Sequence, residues 1–159
     1  MATPDFVLAL REQVGHDLLW LTGVTAVVTR GEGGDQQLLV VRRADNGAWT
    51  PVTGIVDPGE QPAVAAEREV LEEAGVVAVA ERLAWVQTIP PMRYPNGDEA
   101  QYMDLVFRCR WVSGDPHPAD GENTEAEWRT VSGLPAMSDN MRMRVEVALS
   151  DESSARFER

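Results

Sequence analysis

GIVDPGEQPAVAAEREVLEEAGV, residues 54–76, is the stretch from which the rest of the chain is read. Its core is Arg68-Glu69-Val70-Leu71-Glu72-Glu73. At helical spacing Glu69, Glu72 and Glu73 stand at i, i+3 and i+4, so the three carboxylates share one face. Like charges so placed destabilise an isolated helix by roughly 0.2–0.5 kcal/mol per pair. A multivalent cation reverses the sign. Carboxylates with no Cys or His beside them favour a hard ion, Mg²⁺ or Mn²⁺. The plain alternative is a solvated, charge-rich helix face, since glutamate is a good helix former.

The flanks frame that helix. Gly54, Pro58 and Gly59 make an irregular loop running into it, and Pro62 suits the first turn, where a missing N–H costs little. Gly75 suits a C-terminal cap that needs positive φ. Ala63, Val64, Ala66, Val70, Leu71 and Ala74 gather on the side away from the acids and predict an apolar face. Glu67 falls inside that arc, and periodicity gives no reason for it. Arg68 is placed to pair with Glu60 across the loop. The expectation is a rigid loop–helix unit presenting its carboxylates at the surface.

Gly54, Glu60, Arg68-Glu69, aliphatic Val70, Glu72-Glu73, Gly75 and aliphatic Val76, at this spacing, resemble the Nudix box at each of its defined positions. Thr53 stands where many members have a further glycine, and Asp57 where glutamate is frequent. The flanks are similar too, from Gln37–Arg43 and Trp49-Thr50-Pro51 before the box to Trp128 and Leu134-Pro135 after it. The resemblance implies an α/β/α sandwich with a mixed β-sheet. It also implies a Mg²⁺- or Mn²⁺-dependent hydrolase that cleaves the diphosphate linkage of a nucleoside diphosphate derivative. By position it makes Glu69, Glu72, Glu73 and the Gly54 carbonyl metal ligands, and Glu60 with Arg68 a structural pair. Candidate substrates begin with nucleoside triphosphates, oxidised or not, followed by ADP-ribose and sugar nucleotides.

A chain of 159 residues, 43% apolar, is expected to be one domain spanning residues 1–159. It has no apolar run of transmembrane length and no basic start of a signal peptide, and its single Cys109 excludes an internal disulfide. A cytoplasmic protein with no membrane partner is the simplest expectation. The net charge of −12 argues against nucleic acid as a partner and requires local neutralisation of a polyanionic small-molecule substrate. Arg42, Arg43, Arg93 and Arg30 are candidates for that task.

Propensity predicts a helix from Thr3 or Pro4 to Gly15 capped by Thr3, then strands over Leu18–Arg30, bent at Gly23, and Gln37–Arg43. After the box come strands over Val76–Ala80 and Leu83–Ile89, interrupted at Glu81-Arg82, and another over Tyr102–Val112. A loop over Ser113–Asn123, a short strand over Glu127–Val131, a helix over Ser138–Leu149 and a fraying tail from Ser150 complete the chain. The resemblance further implies an acid from outside the box, for which Glu122 is the candidate, with Glu125 and then Asp98 or Glu99 as alternatives. Trp20, Trp49, Trp85, Tyr94 and Tyr102 are available to stack on a base, and Tyr94, beside Arg93, is the one placed in a turn. His16 and His117 lack metal-ligand spacing. A homodimer is an open possibility. The rival readings are a catalytically silent nucleotide-binding or regulatory module, disfavoured by the intact set of box acids, and an isomerase or glycosyl-transfer enzyme on the same scaffold.

Overall fold

The β-branched run after Leu18 forms strand β1 (Leu19–Arg30), which pairs in parallel with β7 (Glu99–Ser113), Leu19 opposite Ala100 through Thr29 opposite Arg110. A strand covered by helices on both faces has no solvated side, so its apolar residues run nearly without a break. The structure, a computed structural model, describes residues 3–159. Among them β1 is flanked on its other edge by β2 (Gln37–Arg43) and β4 (Val52–Ile55), and β2 by β3 (Trp49–Thr50) and β8 (Asn123–Thr130). Beyond β7 lie β5 (Val77–Thr88) and β9 (Arg156–Phe157), with β6 (Met92–Arg93) pairing at the start of β7.

Helix α2 (Pro62–Ala74) covers one face through Ala65, Ala66, Val70 and Ala74 against Val24, Ala26 and Val28 of β1. Helix α3 (Asp139–Leu149) covers the other through Val145, Val147 and Ala148 against Val27, Trp85 and Val106. Helix α1 (Asp5–Val14) closes the end of the sheet, where Val7 packs with Leu21, Ile55, Ala100 and Tyr102. The architecture is an α/β/α sandwich around a mixed sheet.

Several expectations are corrected. Pro4, not Thr3, is the N-cap of α1, and no side chain caps it. β1 runs through Gly23 without interruption. β5 is one strand with a bulge at Glu81, where the register shifts between Ala80 and Arg82. That bulge explains Glu67, whose Oε1 accepts the Ala80 N–H at 2.9 Å. β7 starts three residues earlier than expected, and β8 begins at Asn123 because it pairs with β2 along its length. The tail does not fray: Arg156 and Phe157 pair in parallel with Trp85 and Val86, and the Trp85 indole donates to Glu158. On α2, Val64 and Leu71 face solvent while Ala65 is buried, so the apolar face is narrower and made of small residues that let the helix sit close to the sheet.

Candidate active site

The loop before α2 is tied to the helix by charge. Arg68 donates from Nε and Nη2 to the two oxygens of Glu60, each at 2.9 Å, and from Nη2 to the Ile55 carbonyl at 3.1 Å. Glu60 Oε2 in turn accepts the Asp57 N–H at 3.1 Å. The fork of a guanidinium matches a carboxylate with two parallel bonds, and Arg68 holds the Glu60 carboxyl below its ordinary range. At the far end Gly75 takes φ 65°, and its N–H reaches the Leu71 carbonyl as a left-handed cap.

Of Glu69, Glu72 and Glu73, only Glu72 is exposed. Glu69 and Glu73 are 5% and 3% exposed, which corrects the expectation that all three stand at the surface. Glu69 lies against Gly54, where any Cβ would overlap its side chain. Burial pushes its carboxyl up against the opposing effect of Arg68. Burial also pushes Glu73 up, to about 7, with Glu69 and Asp120 adding repulsion and an Asn123 hydrogen bond opposing.

The loop between β7 and β8 completes the site by capping α2. Ala74 and Glu73 at the end of the helix accept backbone N–H groups from His117 and Ala119, each at 3.1 Å. This satisfies carbonyls that a helix end leaves without partners. The docking carries Asn123 to Glu73, where its Nδ2 donates to Oε2 at 3.0 Å. It also carries Asp120 and Glu122 to a cleft of about 490 Å³ shared with Glu69, Glu72, Arg68 and Asp57. The start of α1, Thr3 to Asp5, forms another wall of that cleft.

The oxygen donors suit a hard divalent ion. Two buried carboxylates carry raised pKa values beside an exposed third, and Gly54 leaves Glu69 room against its backbone. Among the described residues no three such side chains converge on a single ion position. Arg68 stands among them as counter-charge, its Nη1 donating to Glu69 at 3.0 Å and to Glu72 at 3.1 Å.

A family model described as the NUDIX domain matches residues 20–147. The chain belongs to the Nudix family. It is 36% identical over 107 residues to a MutT-like protein of Streptomyces ambofaciens, covering 67% of this chain and 62% of that protein. It is also 33% identical over 116 residues to an NAD-capped RNA hydrolase of Deinococcus radiodurans, covering 72% of this chain. The match spans only 39% of that relative's length. The fold matches an ADP-ribose pyrophosphatase of Streptococcus suis with TM-score 0.64 at 19% identity, covering 87% of this chain and 98% of that one.

Around this Nudix helix the other sequence candidates fall in different places. Glu122 lines the cleft with Glu69 and Glu72. Arg43 forms two bonds to Asp45, at 3.0 and 2.7 Å, and feels the charges of Glu73 and the Tyr94 hydroxyl. Arg42 pairs with Glu125 at 2.8 Å, and Arg93 with Glu99 at 3.6 Å. Tyr94 joins its hydroxyl to that of Tyr102 at 2.8 Å beside the α1 core. Arg30 stacks over Trp128, 4.4 Å from the ring centroid, on the far half of β1. Asp98 is occupied by His16 at 2.7 Å, and Trp85 is buried under the tail. Cys109 is fully buried, which pushes its thiol up to about 12. Asn123, Asp120 and Asp5 were not singled out by the sequence reading. The nearest signal for the first two is their short distance from Glu122 along the chain, and nothing local marks Asp5.

Proposed function

We propose that this Nudix protein is a Mg²⁺-dependent pyrophosphohydrolase that cleaves the diphosphate linkage of a nucleoside diphosphate derivative with water. The observation that carries this reading is the burial of Glu69 and Glu73 on one helix face, Glu69 at a cleft also lined by Glu72 and Glu122. Carboxylates buried together cost free energy unless a cation compensates them, so the arrangement is one that an ion stabilises.

Glu69, Glu72, Glu73 and the Gly54 carbonyl would hold the metal. Bound there, it supplies neutralisation of the phosphate oxygens and a water of lowered pKa. The protein's own groups do the rest. Glu73 is held in place by Asn123, whose Nδ2 donates to its Oε2. Glu122, across the cleft, is the acid able to take a proton from the attacking water. Arg68 orients Glu69 and Glu72, while its bonds to Glu60 and Ile55 keep it from moving toward substrate.

Arg42, Arg43, Arg93 and Tyr94 are assigned to the nucleotide. Exposed ion pairs contribute at most about 1 kcal/mol, so Arg42 and Arg93 can exchange their carboxylate partners for phosphate at little cost.

The test is incubation with Mg²⁺ and a panel of nucleoside triphosphates, ADP-ribose, sugar nucleotides and dinucleoside polyphosphates. Phosphate release is measured with and without added phosphatase, alongside Glu72→Gln. Hydrolysis of one class that disappears in the variant is the expected result. Equal turnover by the variant would remove the ligand role of Glu72, and silence across the panel would count against the reaction.

A further inference from the structure

Strand β8 changes the face it shows to α2 at its first residues. Ala126 and Trp128 pack against the core that also holds Ala65, Ala66, Val70 and Ala74 of α2. Strict alternation from those two residues would send the Asn123 side chain to the opposite face of the sheet. The pairing with β2 shifts there: Arg42 stands opposite Glu125 and Arg43 opposite Asn123, so Thr124 is the extra residue of a bulge. One extra residue turns Asn123 over to the α2 side. There it is 5% exposed and its Nδ2 reaches Glu73 Oε2. The bulge is held from both ends. Thr124 Oγ1 donates to the Arg42 carbonyl at 3.4 Å, and the Ala44 N–H donates to the Glu122 carbonyl at 2.8 Å.

The bond that results joins helix α2 to strand β2, which carries Arg42 and Arg43. It also differs in kind from the one at Glu69. Glu69 is oriented by a cation, Arg68, whereas Glu73 accepts from a neutral amide. An amide N–H fixes the plane of a carboxylate and brings no charge of its own. The negative charge that an ion would meet is therefore kept. Hydrogen bonds that hold a ligating side chain in this way contribute about tenfold to a hundredfold in metal affinity.

We infer that Asn123 is a positioning residue, turned over by the bulge at Thr124 so that strand β2, and not the helix alone, sets the orientation of the Glu73 carboxylate toward a divalent ion. This rests on the metal assignment of the hydrolase reading above. It adds a residue outside residues 54–76 to the machinery of that helix.

Titration of the metal-free, full-length protein with Mn²⁺, followed by electron paramagnetic resonance, reads the effect without substrate. Asn123→Ala should weaken binding by about tenfold. Asn123→Ser, whose hydroxyl is too short to span to Glu73, should do the same and serves if the alanine variant does not fold. Two comparisons separate positioning from a merely structural role. Gln87→Ala removes a similarly buried amide, the one bonded to Asp104 under α3, and should lower the melting temperature while Mn²⁺ affinity stays that of the wild type. In a Glu73→Gln background, itself weakened, Asn123→Ala should cost no further affinity, because the carboxylate through which it acts is gone. Unchanged affinity in the Asn123 variants, or an equal further loss on top of Glu73→Gln, overturns the inference. Failure of the hydrolase reading shows elsewhere, as absence of turnover on the substrate panel while the Mn²⁺ affinities keep this order.

Discussion

Two buried carboxylate clusters sit on opposite faces of one sheet, and their partners differ. Under α3, Asp104 accepts from Thr25 at 2.9 Å and from Gln87 at 3.1 Å, and lies 3.4 Å from Arg144. Arg144 donates to Thr25 and Asn140, and Asn140 donates back to Gln87, closing the ring. One charge of each sign is present and each polar group has a neighbour. Under α2, Glu69 and Glu73 are as deeply buried as that pair. Glu69 shares Arg68 with Glu60 and Glu72 and borders an open cleft, while Glu73 behind it accepts from the neutral Asn123. A cluster closed and balanced serves the fold. One left acidic and open is held ready for a ligand that brings the missing charge.

The comparison breaks most sharply by mutation at its two centres. Glu73→Gln should lower kcat by about a hundredfold or more while leaving the protein folded, as judged by turnover and circular dichroism on one preparation. Arg144→Met should do the reverse. It leaves Asp104 buried without its counter-charge and should destabilise by about 3–5 kcal/mol in urea unfolding. Activity per folded molecule should remain. Loss of activity without loss of stability in Arg144→Met would mean that the two clusters are not separate in role.

A smaller effect comes from pH. Folding raises the Glu73 carboxyl from 4.5 to about 7. A carboxyl raised on folding binds its proton more tightly in the native state, so its destabilising effect is absent below 4.5, grows across that interval and is complete above about 7. Metal-free protein should therefore be less stable at pH 8 than at pH 5.5 through this group, by on the order of 1–3 kcal/mol, and melt at a lower temperature. Glu73→Gln should flatten that slope, and Mg²⁺ should restore the melting temperature of the wild type at pH 8. Smallest is Glu67→Ala, which leaves the Ala80 N–H at the bulge without its acceptor. About 1 kcal/mol of stability should be lost, with the metal cleft unaffected.

The two clusters also differ in how far they could be read from sequence. Glu69, Glu72 and Glu73 obey helical spacing, with Gly54 and Gly75 bracketing them inside 22 residues, so the face the three acids share follows from local geometry. Their burial does not, because it depends on Gly54 across a strand and on a loop that docks by its backbone. The Asp104–Arg144 ring joins residues from four elements spread over most of the chain, and no local pattern announces it. Glu67 looked misplaced because its partner, the bulge in β5, is a tertiary feature. Tail residues Arg156 and Phe157 read as polar and loose because what orders them is the edge of β5. Asp5 stands in the same position as these, ordinary in sequence and given a place in the cleft only by the packing of α1.

The claim at the centre of this account is that the acidic cluster under α2 takes a divalent ion and the balanced one under α3 does not. Titration of the metal-free protein with Mn²⁺, followed by electron paramagnetic resonance, tests it without any choice of substrate. The account predicts saturable binding that weakens at least about tenfold in Glu69→Gln and in Glu72→Gln. Asp104→Asn, if it folds, should bind as the wild type does. Binding that survives both glutamate substitutions, or no binding by the wild type, would contradict it.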